Sequence, residues 1–122
     1  MNVVDSSCWL EYFAGSELGE RLAPIVQKID ELLVPSIIIY EVFKKLLNEL
    51  DEDRALFAIA HMKQGIVMNL DADLAVYSAK VGKELKLAMA DSMIYAAAKK
   101  FDAILWTKDK HFKSLDSVKY FE

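Results

Sequence analysis

The chain has 122 residues, of which 54% are hydrophobic and 28% charged, and its net charge at pH 7 is −4. This length suits one domain over residues 1–122, and the apolar fraction excludes a disordered chain and allows a sizeable core. The acidic balance argues against a nucleic-acid binder with a broad basic patch, although a buried acidic metal site would itself account for several negative charges.

The cysteine content and the apolar runs bear on the compartment. Cys8 is the single cysteine, so an internal disulfide is excluded, and its apolar neighbours predict a small buried hydrophobe. The chain opens on an apolar run without a basic leader, and its most apolar stretch, Leu32–Tyr40, is too short to span a membrane. We therefore expect a soluble cytoplasmic protein that makes no contact with membranes.

Short apolar runs alternate with helical stripes along the first half of the chain. The predicted elements are a strand over Met1–Val4, a helix capped by Ser6 and Ser7 that runs through Phe13 and ends at Gly15, a helical stripe from Leu18 to Leu32, a strand over Leu32–Pro35, a helix over Ile37–Leu50 capped by Ser36, and a helix over Asp53–Lys63. Pro24 lies inside the helical stripe and predicts its division into two helices. The apolar face predicted for the Ile37–Leu50 helix consists of Ile39, Phe43, Leu46, Leu47 and Leu50.

The second half continues this alternation. Its predicted elements are a strand over Ile66–Leu70, a helix over Ala72–Lys86 with Leu74, Tyr77, Val81 and Leu85 on one face, a helix over Asp91–Phe101, a strand over Ala103–Thr107 and an edge strand over Val118–Phe121. Strands separated by helices are typical of a parallel sheet that helices cover on both faces. The sequence therefore predicts an α/β fold of three α/β/α layers with a five-stranded parallel sheet.

Four acidic residues follow the predicted strands or begin the predicted helices. They are Asp5, Glu41, Asp91 and Asp109. An α/β fold brings such edges together, and carboxylates about 5 Å apart repel each other by roughly 3 kcal/mol per pair at an effective dielectric of about 20. A Mg²⁺ or Mn²⁺ site explains this arrangement, because hard cations take oxygen ligands.

Each acid also has an ordinary interpretation when it is taken alone. Asp5 suits a helix cap, Glu41 suits an ion pair on a polar helix face, and Asp109 suits a turn. Asp91 suits the positive end of a helix dipole, but it shares a face with the apolar Ile94, where a carboxylate needs a partner. The occurrence of all four at successive strand ends favours the metal site.

Four segments carry a resemblance to a known family. They are Val3-Val4-Asp5-Ser6-Ser7, Ile39-Tyr40-Glu41-Val42, Met89-Ala90-Asp91-Ser92-Met93-Ile94-Tyr95-Ala96-Ala97 and Leu105-Trp106-Thr107-Lys108-Asp109-Lys110-His111-Phe112. In their order and spacing the chain resembles the PIN-domain ribonucleases, and within them the small VapC-type toxins of toxin–antitoxin pairs. The resemblance spans essentially the whole chain, and the ordered set is more specific than any single segment.

The resemblance implies a sheet order of 3-2-1-4-5 and an acidic pocket that binds Mg²⁺ or Mn²⁺. Asp5, Glu41, Asp91 and Asp109 match the family's acidic quartet, while Ser7 and Thr107 match its small hydroxyl residues that hydrogen-bond around the acids. Many relatives carry a further acid two positions after the last member of the quartet, where this chain has His111. This departure bears on the second metal position.

The implied function is a metal-dependent endoribonuclease that leaves a 5′-phosphate and a 3′-hydroxyl. Candidate phosphate contacts are Lys44, Lys45, Lys108 and Lys110, although lysines more often form a solvated face. His61 and His111 each have two interpretations, a general base or an isolated surface or half-buried histidine, and the second is favoured for both. Local lysines would have to hold the phosphates against an acidic background.

Two other functions compete with this interpretation. A receiver-type phosphoacceptor domain needs an acidic pair after the first strand and a lysine after the fifth, and this chain has neither. A catalytically inactive PIN-like module that binds RNA or protein is the alternative that remains. For the toxin, the resemblance implies a homodimer neutralised by a cognate antitoxin whose segment covers the acidic pocket, and a basic side chain would be a suitable plug.

Overall fold

The computed structural model describes all 122 residues, and its strands form one parallel sheet. The strands are β1 (Asn2–Val4), β2 (Leu32–Pro35), β3 (Ile66–Met68), β4 (Ile104–Thr107) and β5 (Val118–Tyr120). Their order across the sheet is β3-β2-β1-β4-β5, and every neighbouring pair is parallel. The predicted sheet and its implied order are confirmed, and the order differs from the 2-1-3-4-5 arrangement of a receiver-type domain.

Six α-helices connect the strands. They are α1 (Ser6–Ala14), α2 (Glu17–Val26), α3 (Ser36–Leu46), α4 (Glu52–Met62), α5 (Ala72–Leu85) and α6 (Met89–Lys100), with short 3-10 turns over Ile29–Glu31 and Lys110–Phe112. The connections from β1 through β2 to β3 step one way across the sheet, and the connection from β3 to β4 steps back. Right-handed crossovers then place helices on both faces, as predicted. None of these helices combines the length and the apolar character needed to cross a membrane.

The centre of the sheet is the most buried part of the molecule. Val3 and Val4 of β1 and Leu105 of β4 have no exposed surface, and they belong to one cluster of 26 buried apolar residues. Cys8 lies in the same cluster, where burial raises the pKa of its thiol to about 12, so it is the neutral hydrophobe that its neighbours predict. Because the strand order reverses between β1 and β4, a ligand crevice is expected at the carboxyl ends of these two strands.

Several predicted helix boundaries are wrong, each for a local reason. Asp5, and neither Ser6 nor Ser7, caps α1, because its side chain accepts a hydrogen bond from the Ser6 N–H. Ser36 is the first residue of α3 and not its cap. Pro24 does not divide its helix, since α2 continues to Val26. Pro24 cannot donate a hydrogen bond to the carbonyl four residues before it, and α2 ends only two residues after it.

The predicted apolar faces of two helices are partly wrong. In α3 the buried residues are Ile38, Val42 and Leu46, so the face is turned by one residue from the predicted one, and Leu47 and Leu50 are exposed beyond the end of the helix. In α5, Ser78 is buried beside Leu74 and Val81, whereas Tyr77 and Leu85 are 37% and 40% exposed. Three consecutive isoleucines allow two registers for α3, and its packing on α1 and α4 selects between them.

Two glycines in the α1–α2 region have different structural reasons. A Cβ atom at Gly19 would lie 2.3 Å from the Glu11 carbonyl oxygen, because α2 passes directly over the backbone of α1. Gly15 ends α1 with a φ of 68°, and a Cβ atom there would meet nothing within 4 Å.

We expect Gly19→Ala to lower the free energy of unfolding by about 2 kcal/mol or more, because the backbone of α1 has to move. Gly15→Ala is the matched control and should cost only about 1 kcal/mol, the strain of a left-handed alanine. Urea unfolding followed by tryptophan fluorescence measures both. Equal losses for the two variants would contradict the close helix approach.

Candidate active site

Asp5 lies at the carboxyl end of β1 and is held by the pairing of the two central strands. Its side chain is only 4% exposed. Its Oδ1 accepts a hydrogen bond from the Ser6 N–H at 2.8 Å, and its Oδ2 accepts one from the Thr107 hydroxyl at 2.7 Å. The Ser7 hydroxyl approaches the same Oδ2 at 3.5 Å. The backbone N–H of Asp5 also donates to the Trp106 carbonyl, so both the main chain and the side chain of Asp5 are tied to β4.

Asp109 is joined to Asp5 through the hydroxyl of Thr107. That hydroxyl accepts a hydrogen bond from the Asp109 N–H at 2.9 Å while it donates to Asp5. The Asp109 Oδ1 then accepts from the His111 N–H at 2.9 Å and caps the 3-10 turn that follows β4. One buried threonine therefore sets the relative position of the two acids at the ends of β1 and β4.

Glu41 and Asp91 reach the same edge from two helices. Glu41 lies in the second turn of α3, after β2, and its Oε1 accepts a hydrogen bond from the Ser6 hydroxyl at 3.1 Å. Asp91 lies in the first turn of α6, and its Oδ2 is 3.1 Å from Nδ1 of His111. A shared neighbour thus links each acid to another member of the set. The neighbours are Ser6 for Asp5 and Glu41, Thr107 for Asp5 and Asp109, and His111 for Asp91 and Asp109.

Burial and the charges of neighbouring acids raise the pKa of three members of the set, Asp5, Glu41 and Asp91. Burial raises the pKa of Asp5, to which the charges of Asp109 and Asp91 add, while the hydrogen bonds from Thr107 and Ser6 lower it. Burial also raises the pKa of Glu41, and the charges of Asp5, Asp91 and Asp109 raise it further. The pKa of Asp91 is raised by burial and by Asp109, against a lowering by His111. The structure therefore brings all four acids into one negative cluster.

The donor atoms of this cluster suit a divalent cation. Asp91, Asp109 and His111 each offer one ligand atom, and these atoms lie within 4.8 Å of one another. Asp5 and Glu41 supply further carboxylate oxygens, and they lie close enough for the charges of Asp91 and Asp109 to raise the pKa of both. Carboxylate oxygens are the ligands that Mg²⁺ and Mn²⁺ take in proteins, so the residues present fit a metal of this class.

The four candidate phosphate-binding lysines have different surroundings. Lys44 and Lys45 are exposed on α3 beside Glu41, and these three residues line a cavity of about 300 Å³. Lys110 is exposed and makes no ion pair. Lys108 is engaged elsewhere, since its Nζ lies 2.7 Å from Oε1 of Glu11 on α1. Lys44, Lys45 and Lys110 are therefore free to meet a phosphate, whereas Lys108 first has to leave Glu11.

A family model described as the PIN domain matches residues 3–118. The chain belongs to the PIN-domain family. Its fold is also that of several solved structures, including a toxin–antitoxin complex from Klebsiella pneumoniae with a TM-score of 0.80 and 22% identity, where the alignment covers 98% of this chain and 96% of that chain. A comparison with curated protein sequences found no match.

Two further structures share the fold of this PIN domain. VapBC2 from Rickettsia felis, bound to a DNA fragment from its promoter, has a TM-score of 0.76 and 12% identity, with 99% of this chain and 98% of that chain covered. VapC20 from Mycobacterium tuberculosis, a toxin that cleaves the sarcin–ricin loop, has a TM-score of 0.71 and 20% identity, with 97% of each chain covered. The fold of these toxins is therefore the fold of this chain.

Two residues of the site, Ser6 and Glu11, were not expected from the sequence of this PIN domain, and His111 has different contacts from those favoured. Ser6 joins Asp5 to Glu41, Glu11 holds Lys108, and His111 contacts two of the acids. The favoured interpretation of His111 as an isolated surface histidine is wrong, because its Nδ1 lies 3.1 Å from Asp91 and 3.2 Å from Asp109. The only sequence signal was its position two residues after Asp109, where relatives carry an acid.

In the absence of metal at pH 7, we expect Glu41→Gln to raise the melting temperature of this PIN domain by a few degrees. The folded protein raises the pKa of Glu41, so the protonated form stabilises the fold and this contribution is lost as the pH rises through the raised pKa. Glutamine keeps a neutral group at every pH. Thermal unfolding in EDTA at several pH values measures the difference.

The matched control for this measurement is Glu49→Gln, at an exposed position after the end of α3. Its melting temperature should follow that of the wild type across the pH range. The gain in melting temperature of Glu41→Gln should disappear below pH 4.5, the usual pKa of a glutamate, because both proteins then carry a neutral group at position 41. A gain that persists at low pH would argue against charge repulsion as its cause.

Proposed function

We propose that this PIN domain is a metal-dependent endoribonuclease and the toxin of a toxin–antitoxin pair. It hydrolyses RNA phosphodiester bonds and leaves a 5′-phosphate and a 3′-hydroxyl. The observation that carries the proposal is the cluster of Asp5, Glu41, Asp91 and Asp109, in which burial and the neighbouring negative charges raise the pKa of the first three acids. Such repulsion costs stability, which is expected where a cation is to be bound.

The four acids act as ligands, and the neighbouring hydroxyls orient them. The Thr107 hydroxyl donates to Asp5 at 2.7 Å and the Ser6 hydroxyl donates to Glu41 at 3.1 Å, so the carboxylate groups of both acids keep a fixed direction. Ser7, at 3.5 Å from Asp5, is a weaker second donor. A bound Mg²⁺ or Mn²⁺ would lower the pKa of a water molecule and polarise the phosphodiester for in-line displacement of the sugar 3′-oxygen.

Substrate binding has to overcome the negative charge of the cluster. Lys44 and Lys45 lie along the polar face of α3 next to Glu41, and Tyr40 adds an aromatic ring 5.7 Å below Nζ of Lys44. These residues suit a backbone phosphate on one side of the scissile bond, and Lys110, on the turn after β4, suits one on the other side. Sequence choice in RNA then depends on exposed, unpaired loops more than on the grooves of a duplex.

The proposed partners are a cognate antitoxin and a second copy of the chain. Two of the similar structures are a toxin–antitoxin complex and a VapBC complex bound to promoter DNA, which supports an antitoxin here. A basic side chain of the antitoxin placed among Asp5, Glu41, Asp91 and Asp109 would neutralise the cluster in the place of a cation. A neighbouring small gene that encodes a DNA-binding protein would support the pairing with an antitoxin. The molar mass of the purified chain from light scattering tests the homodimer.

We expect Asp5→Asn and Asp91→Asn to abolish RNA cleavage while the fold remains intact. Each variant removes a carboxylate from the cluster but preserves the size of the side chain, so a loss of about a hundredfold or more is the expected scale for a metal ligand. The assay incubates purified protein and RNA with Mn²⁺ or with EDTA and maps the cut sites and their end groups.

The control is Asp53→Asn, which changes an exposed acid in the first turn of α4 without touching the cluster. Circular dichroism establishes that every variant is folded. Full cleavage by highly purified Asp5→Asn, or undiminished cleavage in EDTA, would refute the proposed function. Metal binding without any cleavage of RNA would instead indicate the inactive RNA-binding or protein-binding module.

We expect the double variant Lys44→Ala/Lys45→Ala to bind RNA more weakly and with a smaller dependence on salt. Each phosphate contact that is lost reduces the slope of log affinity against log salt by about 0.7 for a single strand. Binding is measured with Asp5→Asn as the background, so that the RNA remains intact. Fluorescence anisotropy at several salt concentrations gives the slope.

The matched control is Lys99→Ala/Lys100→Ala, an adjacent lysine pair in the last turn of α6. That end of α6 precedes β4 and therefore lies at the edge of the sheet opposite the acids. The control should keep the slope of the background protein. The same reduction in both double variants would show that general charge, and not the α3 face, determines RNA binding.

A further inference from the structure

His111 brings one ring nitrogen close to two of the acids. Its Nδ1 lies 3.1 Å from Oδ2 of Asp91 and 3.2 Å from Oδ1 of Asp109. A ring nitrogen carries a single proton, so a hydrogen bond from Nδ1 serves fully only one of these two carboxylates. The second carboxylate faces the same nitrogen without receiving the proton of the ring. A cation shared by the three groups satisfies all of them at once.

We propose that His111 is a direct ligand of the cation, together with Asp91 and Asp109, and that its nitrogen makes the site prefer Mn²⁺ to Mg²⁺. This inference rests on the proposed function, because it concerns the metal of the same site. Neighbouring ligands on a cation with bonds of about 2.1 Å lie roughly 3 Å apart. The separations of 3.1 and 3.2 Å from Nδ1 to the two carboxylates already have this value, and all three ligand atoms lie within 4.8 Å of one another, so His111 already has the spacing of a ligand that neighbours both acids.

The backbone around His111 is fixed although its ring is exposed. The His111 N–H donates to Oδ1 of Asp109 at 2.9 Å, which holds the start of the 3-10 turn. The next residue, Phe112, has no exposed surface and stacks on Tyr95 with 6.4 Å between the ring centroids. The imidazole is therefore positioned beside the acids before any metal binds, and its exposed side leaves room for water and for a substrate phosphate.

The chemistry of this ligand set differs from that of an all-carboxylate site. Imidazole nitrogen is a ligand of transition-metal ions, whereas Mg²⁺ favours oxygen ligands and retains several waters. Mn²⁺ shares the preference of Mg²⁺ for carboxylate oxygen but, as a transition metal, also accepts a nitrogen ligand. A neutral ring also adds no negative charge to four carboxylates that already repel each other. An acid at position 111 would increase this repulsion and would favour Mg²⁺. His111 therefore lowers the charge of the site and favours Mn²⁺.

Pulsed electron paramagnetic resonance of the Mn²⁺ complex tests this inference directly, because a coordinated nitrogen modulates the electron spin echo. The chain has only two histidines, and His61 lies on α4 with its Nε2 3.3 Å from the Tyr12 hydroxyl. His61→Gln is therefore the matched control for His111→Gln. The protein is used at full length with any affinity tag removed, since a tag would add histidine nitrogen.

We expect nitrogen modulation in the wild type and in His61→Gln, and none in His111→Gln. Calorimetry should show that His111→Gln loses about tenfold or more of the Mn²⁺ affinity while its Mg²⁺ affinity changes little. His111→Asp should bind Mg²⁺ more tightly relative to Mn²⁺ than the wild type does. If His111→Gln does not fold, the spectra of the wild type and of His61→Gln decide the question by themselves.

Two results would overturn the inference and leave the proposed function standing. One is Mn²⁺ bound to the wild type without nitrogen modulation while RNA is still cleaved, and the other is modulation that disappears in His61→Gln. A wild-type protein that binds neither metal and does not cut RNA would overturn both the ligand assignment and the proposed function. The binding and cleavage measurements on one preparation therefore separate the two failures.

Discussion

The hydrogen bond from the Thr107 hydroxyl to the buried carboxylate of Asp5 is the interaction on which the site depends. It joins the ends of the two central strands, and the same hydroxyl accepts the N–H of Asp109, so one side chain positions two acids. Asp5 is 4% exposed, and a carboxylate in such surroundings needs donors that compensate for its lost hydration. The Thr107 hydroxyl and the Ser6 N–H are these donors, and they also fix the direction of the Asp5 carboxylate.

This arrangement places the function in conflict with stability at one edge of an otherwise well-packed fold. Burial and mutual repulsion raise the pKa of Asp5, Glu41 and Asp91, so each ionised acid weakens the folded state in the absence of a cation. The continuous core of 26 apolar residues and the parallel pairing of five strands offset this cost. Natural proteins accept such a loss of stability where a ligand is to be bound.

The similar structures share this fold at 12 to 22% identity, so what distinguishes the chain has to lie in its own side chains at the crevice. His111 is the clearest case, because it brings a ring nitrogen within 3.2 Å of two of the acids and so changes both the charge and the donor type of the cluster. The ion pair of Lys108 and Glu11 is a second case. It holds away from the crevice a lysine that the sequence makes a candidate phosphate contact. Local chemistry therefore varies on a constant framework.

The sequence by itself determined the alternation of strands and helices, the parallel sheet and the location of the four acids next to strand ends, because these follow from local apolar patterns and from motif order. The face that α3 buries, the continuation of α2 through Pro24, the ion pair of Lys108 and the contacts of His111 were decided only by the tertiary structure. Each of these depends on groups from different elements meeting in space, such as α3 on α1 or the turn after β4 on α6. Hydrophobic periodicity describes one element at a time and contains no information about which neighbour it will meet.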